Sequence, residues 1–430
     1  MTYAWPPDRS FWRDEFPART TQMTTPFLFK GIIPDSAADP AAVLDGVAAI
    51  RRAHAAGDPT SAHARVYVGE DRRDDLLPQV MAAPPWPDND FVAWMQDLAG
   101  AERFSLVVNN LETVSPTLAA GLGTFLASLV EGWGVPMGGA ELVAFAGNYS
   151  ATAFGVHQGY EDAFLTHLGP GTKHFYTWPN EQYEQLTGGT DPTYGDYQWL
   201  LKHGECFELE PGDALFLPRR VFHVGLQEEF SVSVAVPLYT YPDAAVLRRA
   251  VLPALIDAVL PEDVPGAGPG HALPSPMAVL ELGAAPVAQR LTDLAAATLG
   301  SAVEQCGAAV EQHIRHRWST LLSNGGWELV DLDLARSQAA SAFDPEQVVP
   351  GATVSVTAPY QLVPAEGLVF LRGFQMKADA SVLAPGLIAA LNDGPLALPD
   401  DERLLDAVRA LGATGGLTIT ARPAPEDTAS

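Results

Sequence analysis

The stretch Gly147–Trp178, GNYSATAFGVHQGYEDAFLTHLGPGTKHFYTW, decides how the chain is read, and Pro211–Pro237, PGDALFLPRRVFHVGLQEEFSVSVAVP, answers it. Both alternate apolar with polar residues in short runs broken by Gly and Pro, the pattern of strands in a small antiparallel barrel. Each carries one histidine at a strand edge: His157, beside Glu161 and Asp162, and His223, just after a Pro-Arg-Arg turn. Two imidazoles and a carboxylate brought together from separate strands form a cradle for non-haem Fe(II) with open coordination positions.

The carboxylate is the unusual part. Residues two apart on a strand share a face, so a His-x-Asp pair would send both ligands inward. Here His157 is followed by Gln158 and Gly159, and the next residue of the same parity is Glu161. On a fully extended strand its Cα would lie roughly 13 Å from that of His157, too far for one ion. Gly159 permits the bend that would close this gap. Asp162 has the opposite parity and would need a bulge.

Around this centre the chain falls into three stretches. Residues 1–240 hold the barrel with helices before it. An aromatic opening, SFWRDEFPARTTQ, is placed to dock on a barrel wall. PFLFKGII and ERFSLVVNNLE read as strands, and helical spacing marks Pro40–Ala56, Asp88–Leu98 and the segment with Leu118, Leu122, Phe125 and Leu129 on one face. Residues 241–350 read as helical: Asp243–Leu260, a Pro/Gly-rich linker PEDVPGAGPGHALPSP, then Met277–Leu299 and Ser301–Leu322. Amphipathic helices need a second apolar surface, so this block is expected either to form a homodimer or to cap its own barrel. Residues 351–430 read as strands, helix, turn, helix and hairpin, a small winged-helix-like module.

Composition narrows the partners. Against 52 Asp and Glu stand 25 Lys and Arg, a formal net charge of −27, which argues against nucleic acid and anionic lipid. The acidic stretch Asp400, Asp401, Glu402 and Asp406 in the terminal module argues the same way for DNA. The 2 cysteines, Cys206 and Cys306, fall in different stretches, so neither a disulfide framework nor a thiolate site is expected. With no apolar run of membrane-spanning length and no signal-like N-terminus, a cytoplasmic protein is expected.

The motifs resemble the cupin superfamily, and within it the JmjC-type Fe(II)/2-oxoglutarate oxygenases, most closely the bacterial branch of ribosomal-protein hydroxylases. Gly212–His223, GDALFLPRRVFH, is similar to the second cupin motif, with Arg220 where glycine is usual. His157 and Glu161 resemble the later histidine and glutamate of the first motif, with Gly155 in place of its earlier histidine. The aromatic opening, the VNN strand and helix, the helical block and the terminal module follow that branch's order. The resemblance implies an α+β fold, a double-stranded β-helix barrel followed by a helical dimerisation block and a winged-helix-like domain.

It also implies Fe(II) held by His157, Glu161 and His223, and 2-oxoglutarate as cosubstrate anchored by Lys173, in GPGTKHFYTW, with Ser231 and Ser233 as further hydrogen-bonding groups. The lysines number only Lys30, Lys173, Lys202 and Lys377, which favours a dedicated role for one set among strands. The substrate expected is a protein or peptide side chain or a small molecule. Gly159 at the carboxylate position leaves a halogenase open, and loss of the aspartate leaves a non-catalytic cupin binding protein open. His313 and His316 read as a polar helix face, and His167 and His174 as surroundings of the site rather than ligands.

Overall fold

The computed structural model describes residues 3–69, 71–82, 90–100, 102–149, 155–259, 286–377, 379 and 381–420. Within them the chain divides into two compact units, 1–240 together with 319–430, and 241–318.

The alternating stretches form strands. In chain order these are β1 (Phe27–Phe29), β2 (His63–Val68), β3 (Asp71–Arg72), β4 (Phe104–Asn109), β5 (Val143–Tyr149), β6 (His157–Gln158), β7 (Asp162–Gly169), β8 (Lys173–Trp178), β9 (Glu205–Leu209), β10 (Ala214–Leu217) and β11 (Phe222–Leu238). They pair antiparallel in the order β1-β10-β7-β11-β5-β4-β2-β3, with β6 and β8 joining β11 and β9 joining β8. The hinge of this arrangement is β11, 17 residues long. Its first half pairs with β6 and β8, and its second half with β5 and β7. The register slips between Gln227 and Ser231, and such a bulge bends a strand from one wall of a barrel into the other.

Apolar packing fixes the barrel's outer wall. Trp12 and Phe16 of the aromatic opening are buried against Phe125, Phe164 and Phe216, Phe11 packs on Phe29, and the Trp12 indole donates to the Ser128 hydroxyl at 2.6 Å. The helix Pro116–Gly132 buries Leu118, Leu122, Phe125 and Leu129, the face its spacing predicts. A Cβ on Gly121 would stand 1.8 Å from the Ala37 carbonyl oxygen, so only glycine lets that helix approach so closely.

The unit 241–318 is helical. One run extends over Asp243–Val259, burying Val251 and Leu255. The second helix, Pro286–Ser323, is continuous where two were expected: Gly300 sits in open surroundings and costs only its weak helix propensity, about 1 kcal/mol. The Pro/Gly-rich linker and Met277–Ala285 lie outside the described residues.

Beyond Ser319, residues Val348 to Leu411 gather a core of their own. Strands β12 (Thr353–Val356), β13 (Val363–Ala365), β14 (Leu368–Leu371), β15 (Phe374–Lys377), β16 (Leu396–Ala397) and β17 (Leu417–Thr420) form two three-stranded sheets, with helices Pro385–Asp393 and Glu402–Gly412. GLVFLRGFQMK forms a hairpin of β14 and β15. Arg372 and Gly373, at φ 51° and 77°, make a two-residue turn whose twist suits the paired strands. Among the described residues no helix is long and apolar enough to cross a membrane.

Candidate metal centre

Strand pairing brings the two histidines together. His157 on β6 lies directly opposite His223 on β11, and their ring centroids are 4.5 Å apart. Both rings line one cavity of about 260 Å³. The Nδ1 of His157 is 3.1 Å from the Gly155 carbonyl and that of His223 is 2.9 Å from the Val221 carbonyl. A carbonyl only accepts, so each Nδ1 carries the proton and each Nε2 the lone pair, the tautomer a metal ligand needs. Burial lowers the pKa of both; for His223, which also feels His157, it falls to about 3. Both imidazoles are therefore neutral near pH 7.

The carboxylates separate. Asp162 is buried and turned away: its Oδ1 accepts the Arg219 N–H at 2.8 Å and its Oδ2 the Arg219 guanidinium at 2.6 Å. Glu161 lines the histidine cavity. A Cβ on Gly159 would stand 3.8 Å from the Glu161 Oε2, so Glu161 occupies the neighbourhood an aspartate at 159 would reach into. Among the described residues no three His, Cys, Asp or Glu side chains converge closely enough to hold a metal. Two neutral imidazoles facing one cavity with the Glu161 carboxylate on its wall are nevertheless the donor types of an Fe(II) site. Arg220, at the place the resemblance reserves for glycine, has a φ of 64°, the left-handed conformation that favours glycine.

Lys173 reaches the same cavity from β8. It is 1% exposed, its ammonium donates to the Tyr149 hydroxyl and lies 4.9 Å from that ring, and it makes no ion pair among the described residues. Burial alone lowers its pKa to about 7. Its path is cleared by Gly225, two residues beyond His223 on the same face of β11: a Cβ there would stand 3.2 Å from the Lys173 Cε. A buried cation paired only with a phenol is a ready partner for an anion.

Ser231 and Ser233 are buried but are not among the residues lining this cavity. Ser233 sits 3.1 Å from Nδ1 of His167, whose Nε2 donates to the Gly171 carbonyl at 2.8 Å, so it braces the turn leading into Lys173. His174 stands 4.0 Å from Glu208 on the neighbouring strand, and His313 and His316 lie on the helix Pro286–Ser323.

Sequence reasoning missed four residues of the wall. The Arg65 guanidinium donates to Asn109 at 2.6 Å, Asn109 donates to Glu141 at 2.8 Å, and the Tyr239 hydroxyl donates to the other Glu141 oxygen. They arrive from β2, β4, the lead into β5 and the end of β11, and only the pairing of those strands assembles them. The VNN of β4 was the one visible hint. Tyr149, which meets Lys173, was also missed.

Residues 139–247, which carry the paired histidines and strands β5 to β11, match the family model of the JmjC domain. The chain as a whole is similar to YcfD from E. coli: an X-ray structure of that protein aligns at 14% identity, covering 95% of this chain and 98% of that one, with a TM-score of 0.52. A structure of YcfD, described as a ribosomal oxygenase, in complex with cobalt and 2-oxoglutarate aligns at 15% identity over 92% and 94% of the two chains, with a TM-score of 0.51. At such identity the likeness establishes the fold. Comparison with curated protein sequences gives no match.

Proposed function

We propose that this protein is an Fe(II)- and 2-oxoglutarate-dependent oxygenase that hydroxylates a protein or peptide side chain or a small molecule. The observation that carries the reading is the shared cavity: two neutral imidazoles 4.5 Å apart and an ion-unpaired buried lysine on its walls. His157 and His223 would hold the iron through Nε2, with Glu161 turning in as the carboxylate. Lys173, with Tyr149, would take the distal carboxylate of 2-oxoglutarate, and Ser231 and Ser233 would support that end of the barrel. When bound, iron supplies oxidation by dioxygen coupled to conversion of 2-oxoglutarate to succinate and CO₂. The chain's own part is to hold both, exclude water with the apolar lining of Phe145, Leu165 and Phe175, and orient the substrate against Arg65, Glu141 and Tyr239.

The similarity to a ribosomal oxygenase supports a protein substrate. The net charge of −27 favours a basic one over nucleic acid. We assign the finer architecture to the same reading, with divisions near residues 240 and 350. The separate core Val348–Leu411 supports a winged-helix-like terminal domain. The exposed Leu299 and Val303 on the helix Pro286–Ser323 support a homodimer. Both described cysteines are free, in keeping with a reducing cytoplasm.

The test is succinate formation from 2-oxoglutarate by purified protein reconstituted with Fe(II), beside titration of Fe(II) and 2-oxoglutarate by calorimetry. Turnover that needs iron and disappears in His157→Ala and His223→Ala supports the reading. Full activity in either variant, or failure to bind both iron and 2-oxoglutarate, overturns it in favour of a binding cupin. A chlorinated product dependent on chloride would make the enzyme a halogenase.

A further inference from the structure

One turn holds both sides of the histidine cavity. Between β10 and β11, Pro218 lines that cavity, and Arg219, Arg220 and Val221 follow it. The Arg220 N–H donates to the Gly159 carbonyl at 2.9 Å, and the Arg219 N–H donates to Oδ1 of Asp162 at 2.8 Å. These two acceptors bracket Tyr160 and Glu161. The Val221 carbonyl accepts from Nδ1 of His223 at 2.9 Å, so the same turn also steadies the imidazole on β11.

Hydrogen bonds, more than packing, hold the bracketed bend. Tyr160 is 82% exposed, and the nearest atoms to a Cβ on Gly159 all belong to Glu161. Glu161 lines the cavity, whereas Asp162 beside it is only 3% exposed and engages Arg219. The guanidinium closes on both Asp162 oxygens, with Nε 3.3 Å from Oδ1 and Nη2 2.6 Å from Oδ2. A planar fork on a buried carboxylate fixes direction as well as charge. The same Nη2 donates to the Thr240 hydroxyl at 2.6 Å, which ties the contact to the chain just beyond β11.

We propose that Arg219 is a positioning residue for the metal centre: by engaging Asp162 it leaves Glu161 to supply the carboxylate, and together with Arg220 it fixes the bend on which Glu161 stands. The inference rests on the oxygenase reading, since it takes His157, His223 and Glu161 as the ligands. Its sign sets it apart from plain electrostatics. Hydrogen bonding to Asp162 first, and the charge of Glu161 after it, raise the Arg219 pKa, so the guanidinium is felt at both carboxylates. A cation beside a cation site repels the ion, and removing it would tighten metal binding if charge alone mattered. Loss of position has the opposite effect, because a ligand deprived of the partner that orients it costs about 10- to 100-fold in metal affinity.

The experiment titrates the full-length protein at pH 7 with cobalt(II) chloride, followed by calorimetry and by the visible absorption of the bound ion, which depends on ligand set and geometry. Wild type should bind one ion per chain saturably. Arg219→Gln should weaken that binding about tenfold or more and alter the absorption of the bound ion. Arg219→Lys keeps the charge but not the fork, so its Kd should fall between those two. Asp162→Asn should weaken binding by itself, and added to Arg219→Gln it should cost little more, because the two residues act through one contact. With wild type binding normally, a tighter or unchanged Kd in Arg219→Gln overturns the positioning role and leaves the oxygenase reading standing, even if that variant melts lower. Full additivity of the two substitutions does the same. Where Arg219→Gln does not fold, Arg219→Lys decides, and a Kd equal to that of wild type overturns the role. Wild type that binds no cobalt overturns the metal centre and this inference together.

Discussion

Among the described residues no carboxylate pairs with the buried ammonium of Lys173. Its pKa in the fold, about 7, lies below the 10.5 of a solvated lysine. Between those values the unfolded chain keeps a proton that the folded chain has lost, so this residue makes stability rise with pH from 7 to about 10 and imposes its full cost below 7. Lys173→Met should therefore be more stable than wild type at pH 6, by an amount on the order of a few kcal/mol, with the gap closing by pH 10; urea denaturation at both pH values measures it. The same variant should lose 2-oxoglutarate binding, and in wild type at pH 8 that binding should take up a proton, because the bound carboxylate favours the ammonium. A variant that is less stable at pH 6 would show the charge to be compensated. Glu161 offers a second test at this scale. Glu161→Ala should weaken Fe(II) binding about tenfold or more, and adding Gly159→Asp should restore it, because a Cβ at 159 makes only ordinary contacts, none closer than 3.6 Å. Failure of the aspartate to rescue would remove Glu161 from the ligand set. How far single residues could be read depended on where their partners lay. His157 and His223 were legible from the motifs around them, whereas parity left Asp162 dependent on a bulge, and in the fold its carboxylate is engaged by Arg219. That engagement was invisible: Arg219 lies far along the chain and meets Asp162 only when β7 and β10 pair.

At the scale of elements, β11 joins the site's two halves. His223, Gly225 and Gln227 share a face, and the middle one has no side chain just where Lys173 crosses. Gly225→Val should therefore displace the Lys173 stem and the Phe175 ring, whose Cδ2 would be 3.1 Å from a Cβ there. The expected outcome is a KM for 2-oxoglutarate raised about tenfold with Fe(II) binding kept, since His223 is held from the other side by the Val221 carbonyl. Equal loss of iron and cosubstrate would mean that the strand itself had shifted. Local pattern predicted strands and helices where one face is apolar, as in Pro116–Gly132. It mistook breaks where a single residue decides. Gly300 was read as an end, but an exposed glycine only weakens a helix that packing maintains. The turn inside GLVFLRGFQMK has no local signature, because Arg372, unlike glycine or asparagine, gives no sign that it will accept a positive φ.

At the scale of the molecule, the wall facing the histidines is drawn from β2, β4, the lead into β5 and the end of β11, so its polar lining is a property of the paired sheet and not of any stretch that could be read alone. Arg65, Asn109, Glu141 and Tyr239 occupy ordinary strand positions and become a linked polar wall only through register. The charge balance, by contrast, needs no fold to be read. A net −27 spread over one chain produces a field that attracts cations from beyond contact distance, and the cavity adds Glu141 and Glu161 at close range. If a basic peptide is the substrate, its capture should depend on that field and its oxidation should not. Raising ionic strength from about 0.05 M to about 0.5 M shortens the screening length from roughly 14 Å to roughly 4 Å. The expected result is a kcat/KM for the basic peptide that falls by about tenfold or more across that range while kcat at saturation holds steady, with no such fall for a neutral analogue of the same length. The comparison of the two peptides in one salt series isolates the long-range term, because any effect of salt on the iron, on 2-oxoglutarate or on the fold acts on both alike. A basic peptide that shows no more salt dependence than its neutral analogue would mean that the acidic surface has no part in capture.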